Sequence, residues 1–359
     1  MTHQSNPVDT DAAVPPERLG EWIAQHVEQA TGAIRVEQLA GGSSNLTFRV
    51  RDDANDWVLR RPPLSHVLAT AHDMSREYRV QSALALADVP IAAQISLCED
   101  ESVIGAPFYL MAYVDGVVYD DVDAVARITE PQSFAASCEL VDVLARLHGT
   151  DFVAVGLGEF GKPVGFMARQ MKRWQEQWDK SRIVSVPVVD EVARRLEQAL
   201  PPEVRHAIVH GDYSFNNTMF DRHDPTRMAA VLDWEMSTLG DPLTDVGTLA
   251  VYWGEVGDLM WRARRPQFHR GNAGFPDVDT LLDRYALASG ADLAHIDFYR
   301  AFAAYKLAVI SQGVAKRTSA SNPERARATG DTIEALAQLA LEFIGSRSPR
   351  RDAHDSGRR

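Results

Sequence analysis

Eight consecutive residues, His210-Gly211-Asp212-Tyr213-Ser214-Phe215-Asn216-Asn217, bring together side chains that can do chemistry at a fixed spacing. A carboxylate and an amide five positions apart can share one turn of loop, with Asp212 beside an attacking hydroxyl and Asn217 beside a metal ion. Phosphoryl transfer needs that pairing, because the protein contributes chiefly positioning and charge neutralisation. A chance match to this pattern is expected in roughly one chain in 500 of this length. Downstream, Val231-Leu232-Asp233-Trp234-Glu235 delivers a further carboxylate at the end of an apolar strand. Singly, the first motif also fits a plain loop closed by an Asp–amide turn, and Asp233 a helix cap. Their order and spacing favour Asp233 as a second metal ligand, with Glu235 solvated or structural.

These groups need elements to hold them. Leu19, Trp22, Ile23 and Val27 fall on one helical face after Pro15-Pro16. Alternation of Leu46, Phe48 and Val50 predicts a strand, and another covers 57–61. The small-residue turn Gly41-Gly42-Ser43-Ser44-Asn45 precedes them, where backbone N–H groups can approach phosphates. A helix is predicted over 74–86, strands over 93–98 and 107–114, and a turn at Asp115-Gly116. From Glu130 the pattern is mostly helical, with short strands at 207–209 and 228–232. Strands plus one helix, followed by helices, predict an α+β fold of two lobes: a strand-rich lobe over 17–114, a helical lobe over 115–345, and disordered tails at 1–16 and 346–359.

Composition narrows the partners. The net charge of −13 repels nucleic acid and anionic membranes. No apolar run reaches the length of a membrane span, and the first residues lack the basic start and apolar core of a secretion signal. Cys98 and Cys138 form neither a disulfide framework nor a zinc site and read as reduced packing residues. A cytoplasmic protein is expected.

Further stretches carry a family resemblance. They are Gly41 to Thr47, Val58-Leu59-Arg60-Arg61-Pro62-Pro63, Arg76-Glu77-Tyr78-Arg79, Gln170 to Trp178, His210 to Asn217, Leu232 to Glu235, and Gly240-Asp241-Pro242-Leu243-Thr244-Asp245. Over about residues 17–345 the chain resembles the aminoglycoside phosphotransferase-like small-molecule kinases, which share the protein-kinase-like fold. Within them it is similar to the branch associated with acyl-CoA dehydrogenases. The resemblance implies ATP and Mg2+ as cofactors, Asp212 as catalytic base, and Asn217 and Asp233 as magnesium ligands. It implies Gly41, Gly42, Ser43, Ser44 and Asn45 as nucleotide loop, and Met111, Tyr113 and Val114 as the hinge whose backbone meets adenine. Where many relatives carry a phosphate-contacting lysine this chain has Arg60, expected to pair with Glu77; Arg61 is the alternative. Gly211 replaces the arginine of the protein-kinase His-Arg-Asp, which argues against a protein kinase.

The implied acceptor is a hydroxyl-bearing small molecule, a hydroxyacyl compound or its CoA ester, with a functional link to an acyl-CoA dehydrogenase. The alternatives are an aminoglycoside-type antibiotic as acceptor, or a nucleotide-binding pseudokinase acting as a partner module. The cations Arg169, Lys172, Arg173, Lys180 and Arg182 and those within 261–270 fit either an anionic acceptor or simply solvated helix faces. Met167, Met171, Trp174 and Trp178 share one helical face, as core or as a pocket wall.

Overall fold

The computed structural model describes residues 9–39, 45–64, 73–119, 122–182, 186–254, 272–318 and 323–345. Its contacts divide the chain into two compact units. The first comprises residues 1–118, 151–158 and 217–237, and the second 119–150, 159–216 and 238–359. The two-part division is thus not a single cut near 114: a segment that includes Asn217 and Asp233 packs with the first unit.

The first unit is built on an antiparallel sheet of β1 (Arg35–Gln38), β2 (Leu46–Arg51), β3 (Asp56–Arg61), β4 (Gln94–Cys98) and β5 (Phe108–Ala112), in the order β1-β2-β3-β5-β4. Alternation sends Phe48, Val50, Trp57 and Leu59 into one core with Leu19, Trp22 and Ile23 of the helix Pro16–His26, where Trp22 meets Phe108 edge-on. Ala13 and Val14 are fully buried in that core, and Thr10–Ala13 is a short helix capped by Asp9. Residues 9–16 are therefore not a disordered tail: their polar surroundings hide two apolar residues that seal the sheet. Residues 1–8 and 346–359, the rest of the expected tails, lie outside the described residues.

On the other face lies the helix Met74–Leu84, started by Asp73, whose carboxylate accepts from Arg76 N–H at 2.9 Å. A small sheet joins Gly116–Val117, Thr218–Asp221 and Met228–Val231. Gly116 is thus a strand residue rather than a turn. A Cβ there would lie 2.7 Å from the Phe220 carbonyl oxygen, so the close approach of the strands needs glycine.

The second unit is helical around one buried helix, Ile296–Thr318, which packs against Leu243–Trp253, Phe166–Ser181, Pro187–Gln198 and Pro323–Gly345. Ala301, Phe302, Ala304, Tyr305, Leu307 and Val309 are all buried, which places apolar residues all round the helix rather than on one stripe. Gly247 allows the closest approach, since a Cβ there would lie 2.6 Å from the Tyr299 backbone. A short ladder of Ala207–Val209 with Thr238–Gly240 leads directly into His210. Among the described residues no helix is long and apolar enough to cross a membrane.

Candidate active site

In the first unit, the period of a strand separates the two arginines of β3. Arg61 shares the core face with Trp57 and Leu59 and donates to the Ala13 and Ile104 carbonyls; burial lowers its pKa. Arg60 lies on the other face, opposite Tyr109 of β5. There its Nε is 3.4 Å from Glu77 and its Nη2 donates to Asp233 Oδ1 at 3.0 Å. Burial opposes the charge, but the Tyr109, Glu77 and Asp233 oxygens outweigh it and hold Arg60 cationic.

Glu77 is almost wholly enclosed. It accepts from Asn45 Nδ2 at 2.8 Å and from the Tyr109 hydroxyl at 3.0 Å. Its pKa is raised, by burial first and by Asp233, against the opposing pull of Arg60 and the two hydrogen bonds. The side chain of Asn45, expected in the nucleotide loop, ties Glu77 to Glu235, which it reaches at 3.4 Å. Glu235, read as solvated or structural, thereby joins the cluster. Gly41, Gly42, Ser43 and Ser44 lie outside the described residues.

Asn217 and Asp233 sit at one end of the small sheet. Leu232 N–H donates to Asn217 O at 2.8 Å, and Thr218 pairs with Val231. Asp233 is the one non-glycine residue with positive φ, at 64°, among the described residues. Such a conformation costs about 1–3 kcal/mol and is kept where surroundings or function require it. A carboxylate and an amide oxygen suit magnesium, a hard cation that takes few protein ligands and fills its shell with water and phosphate oxygens.

At the expected hinge, Met111 pairs with Val58 in the sheet, and Tyr113 N–H donates to Asp56 O at 3.1 Å. The Tyr113 ring lies 3.9 Å beneath the Arg49 guanidinium. The backbone donor of Tyr113 is therefore engaged within the unit.

In the second unit, Asp212 sits on a turn whose backbone is held from several sides. Asp245 accepts from His210 N–H at 2.7 Å and from Gly211 N–H at 2.8 Å. Gly211 adopts φ 88°, open to glycine at little cost. Behind Asp245, His148 lies 3.2 Å from its Oδ2 and 2.7 Å from the Tyr285 hydroxyl. Burial would raise the Asp245 pKa, but the His148 hydrogen bond and the nearby His148 and His210 hold it low. Asp241 caps the helix Leu243–Trp253 through Leu243 N–H and accepts from the Tyr299 hydroxyl. Of the two aspartates in Gly240 to Asp245, Asp245 thus holds the Asp212 turn and Asp241 holds the start of the next helix.

Two contacts had no counterpart in the sequence reading. The Tyr252 hydroxyl donates to Asp212 Oδ1 at 3.2 Å, and Lys306 Nζ donates to the Gly211 carbonyl. The one available signal was a single lysine in the apolar run Phe302 to Val309.

The cationic segment is more occupied than its composition suggests. Arg169 donates to the Lys162 and Val164 carbonyls, Lys180 meets Glu176 at 3.9 Å, and Arg182 meets Asp190 at 2.6 Å. Met167, Met171, Trp174 and Trp178 are buried as core. The cations within 261–270 lie outside the described residues.

Residues 35–281 match the model of the phosphotransferase enzyme family named for the aminoglycoside phosphotransferases, and the chain belongs to that family. A Ralstonia eutropha crystal structure, provisionally described as an aminoglycoside phosphotransferase, is 36% identical with a TM-score of 0.77, over 92% of this chain and 98% of that one. Aminoglycoside phosphotransferase APH(4)-Ia, solved with AMP-PNP and hygromycin B, shares the fold at 16% identity and a TM-score of 0.59, over 89% and 98% of the two chains. The fold class is therefore the α+β kinase-like one, a small sheet part and a helical part. Among curated proteins, mouse acyl-CoA dehydrogenase family member 10 is 33% identical over 94% of this chain. Chicken family member 11 is 33% identical over 88%. The chain spans only 32% and 41% of those proteins' lengths.

Proposed function

We propose that the protein is an ATP- and magnesium-dependent kinase of a hydroxyl-bearing small molecule. The observation that carries this reading is the buried chain Glu77–Arg60–Asp233, a fixed cation held by two carboxylates, one of them on a strained backbone. Arg60 would grip α- and β-phosphate oxygens, and its planar guanidinium suits two at once. Glu77 orients it. Asn217 and Asp233 would hold magnesium, which when bound neutralises charge on the phosphates. Gly41 to Asn45 would cover the nucleotide, and the backbone around Met111, Tyr113 and Val114 would meet the adenine.

Asp212 is the general base. Its carboxylate takes the proton of the acceptor hydroxyl as that oxygen bonds to the γ-phosphorus; the bond to the bridging oxygen breaks and ADP leaves. The presence of Asp212, Asn217 and Asp233 together speaks against a pseudokinase.

For the acceptor, we favour a hydroxyacyl compound or its CoA ester over an aminoglycoside. The named acyl-CoA dehydrogenase relatives support this choice and a functional link to such an enzyme. A cytoplasmic setting accords with the acidic surface. Calorimetry tests the nucleotide half: MgATP should bind the wild type and bind Asp233→Ala at least about tenfold more weakly, the cost of one charged contact. Equal affinities overturn the metal assignment. A panel of hydroxyacyl-CoAs, free hydroxy acids and kanamycin tests the acceptor half, and faster turnover of kanamycin overturns the acyl reading.

A further inference from the structure

We propose that Lys306 and Tyr252 are positioning residues for Asp212, an inference that rests on the reading of Asp212 as base. Both come from helices distant in sequence, Ile296–Thr318 and Leu243–Trp253, which Gly247 allows to pack closely against each other at Tyr299.

The Lys306 ammonium is buried, yet its hydrogen bond goes to a backbone carbonyl, that of Gly211. It lies 5.7 Å from the Trp174 ring centroid and faces the charges of Asp212, Asp245 and Arg173. Burying an ammonium is costly, and a cation placed for stability alone would be expected against a carboxylate. Here it grips the carbonyl of the peptide that leads into Asp212, while Asp245 grips the N–H groups of His210 and Gly211 on the same turn. The glycine at φ 88° has the freest backbone of the turn, so without Lys306 the Gly211 carbonyl can rotate and carry the Asp212 Cα with it.

Tyr252 completes the constraint. Its hydroxyl, kept protonated by burial and by Asp212, donates to Oδ1 and sets the rotation of the carboxylate. Lys306 thus fixes where the base sits and Tyr252 fixes which way it faces. Neither is expected to touch ATP.

The test is steady-state ADP release from MgATP with 3-hydroxybutyryl-CoA as acceptor, or with water where that acceptor is not used. Lys306→Ala should lower kcat on the order of 100-fold, the effect of roughly 1 Å of misplacement, with the KM for ATP within about twofold of wild type. Added ethylammonium should restore part of the rate, which a general packing role would not allow. Tyr252→Phe, which removes one hydroxyl and no charge, should lower kcat about tenfold at unchanged KM for ATP. It decides the matter if Lys306→Ala does not fold. Wild-type kcat in the folded variants, a rise in KM for ATP matching the loss in kcat, or no rescue by the amine overturns the positioning role. A wild type that releases no ADP with any hydroxy compound or water overturns the kinase reading itself, and this inference with it.

Discussion

Removing Glu77 should unbalance the buried cluster in a way that can be measured without any substrate. In Glu77→Ala, Arg60 keeps only Asp233, while the Tyr109 hydroxyl and the Asn45 amide lose their shared acceptor. Deleting one partner of a buried ion pair costs about 3–5 kcal/mol. Asp233 on the other side of the guanidinium holds the loss near the lower limit, about 3 kcal/mol. Glu77→Gln keeps the shape and an acceptor oxygen, so it should lose only one charge-assisted contact, about 1.5–3 kcal/mol. Urea unfolding followed by tryptophan fluorescence reads both. The pH dependence gives a second check. The Glu77 pKa is raised in the folded state, so the folded chain binds the extra proton. Its contribution to stability is fully present below the unfolded value of about 4.3 and is lost as pH rises through the folded value. Stability should therefore show a downward component above about pH 4.3 in the wild type, and Glu77→Gln should lack it. A Glu77→Ala protein within 1 kcal/mol of wild type (roughly the error of the extrapolation) would refute the claim that the cluster depends on this carboxylate.

Other expectations follow from single contacts. Asp245→Asn should cost about 2–3 kcal/mol through weakened bonds to His148 and the His210–Gly211 backbone. Because the Asp245 pKa is lowered, its contribution is present above about pH 3.9 and lost as pH falls through the lower folded value, so this variant should show a shallower acid loss; an unaltered acid limb contradicts it. Asp52 accepts from Thr31, Ala54 and Asn55 N–H groups and should titrate near pH 2 by carboxyl NMR; a midpoint near 4 would be wrong for this geometry. Gly247→Ala drives a methyl against the Tyr299 backbone and should destabilise by about 1–3 kcal/mol, visible as a lower Tm; a wild-type Tm would show that the two helices can part freely.

The parts legible in the sequence were those whose information is local. The spacing of Asp212 to Asn217, the apolar lead into Asp233 and the helix at Met74–Leu84 each lie within a short stretch, where spacing and hydrophobic period expose them. The choice between Arg60 and Arg61 was also latent in the alternation of β3: an inward Leu59 sends Arg61 inward and Arg60 to the face of Glu77. The period could not show contacts made across long separations. Tyr252 and Lys306 reach the Asp212 turn from other helices, and within a chain of helices nothing local says which faces meet. The short strands Thr218–Asp221 and Thr238–Gly240 escaped because three or four residues carry too little alternation. Ala13 and Val14 escaped because a polar stretch around two apolar residues reads as a tail.

In the proposed reaction Asp212 performs the chemistry while other residues bind the nucleotide. The most direct measurement is Asp212→Asn turnover, set beside its calorimetric affinity for MgATP. Affinity should stay within about twofold of wild type, and acceptor-dependent ADP release should fall by about 10²–10⁴-fold, the usual contribution of a general base. Turnover that survives the substitution, or ATP binding that disappears from a folded variant, would contradict it.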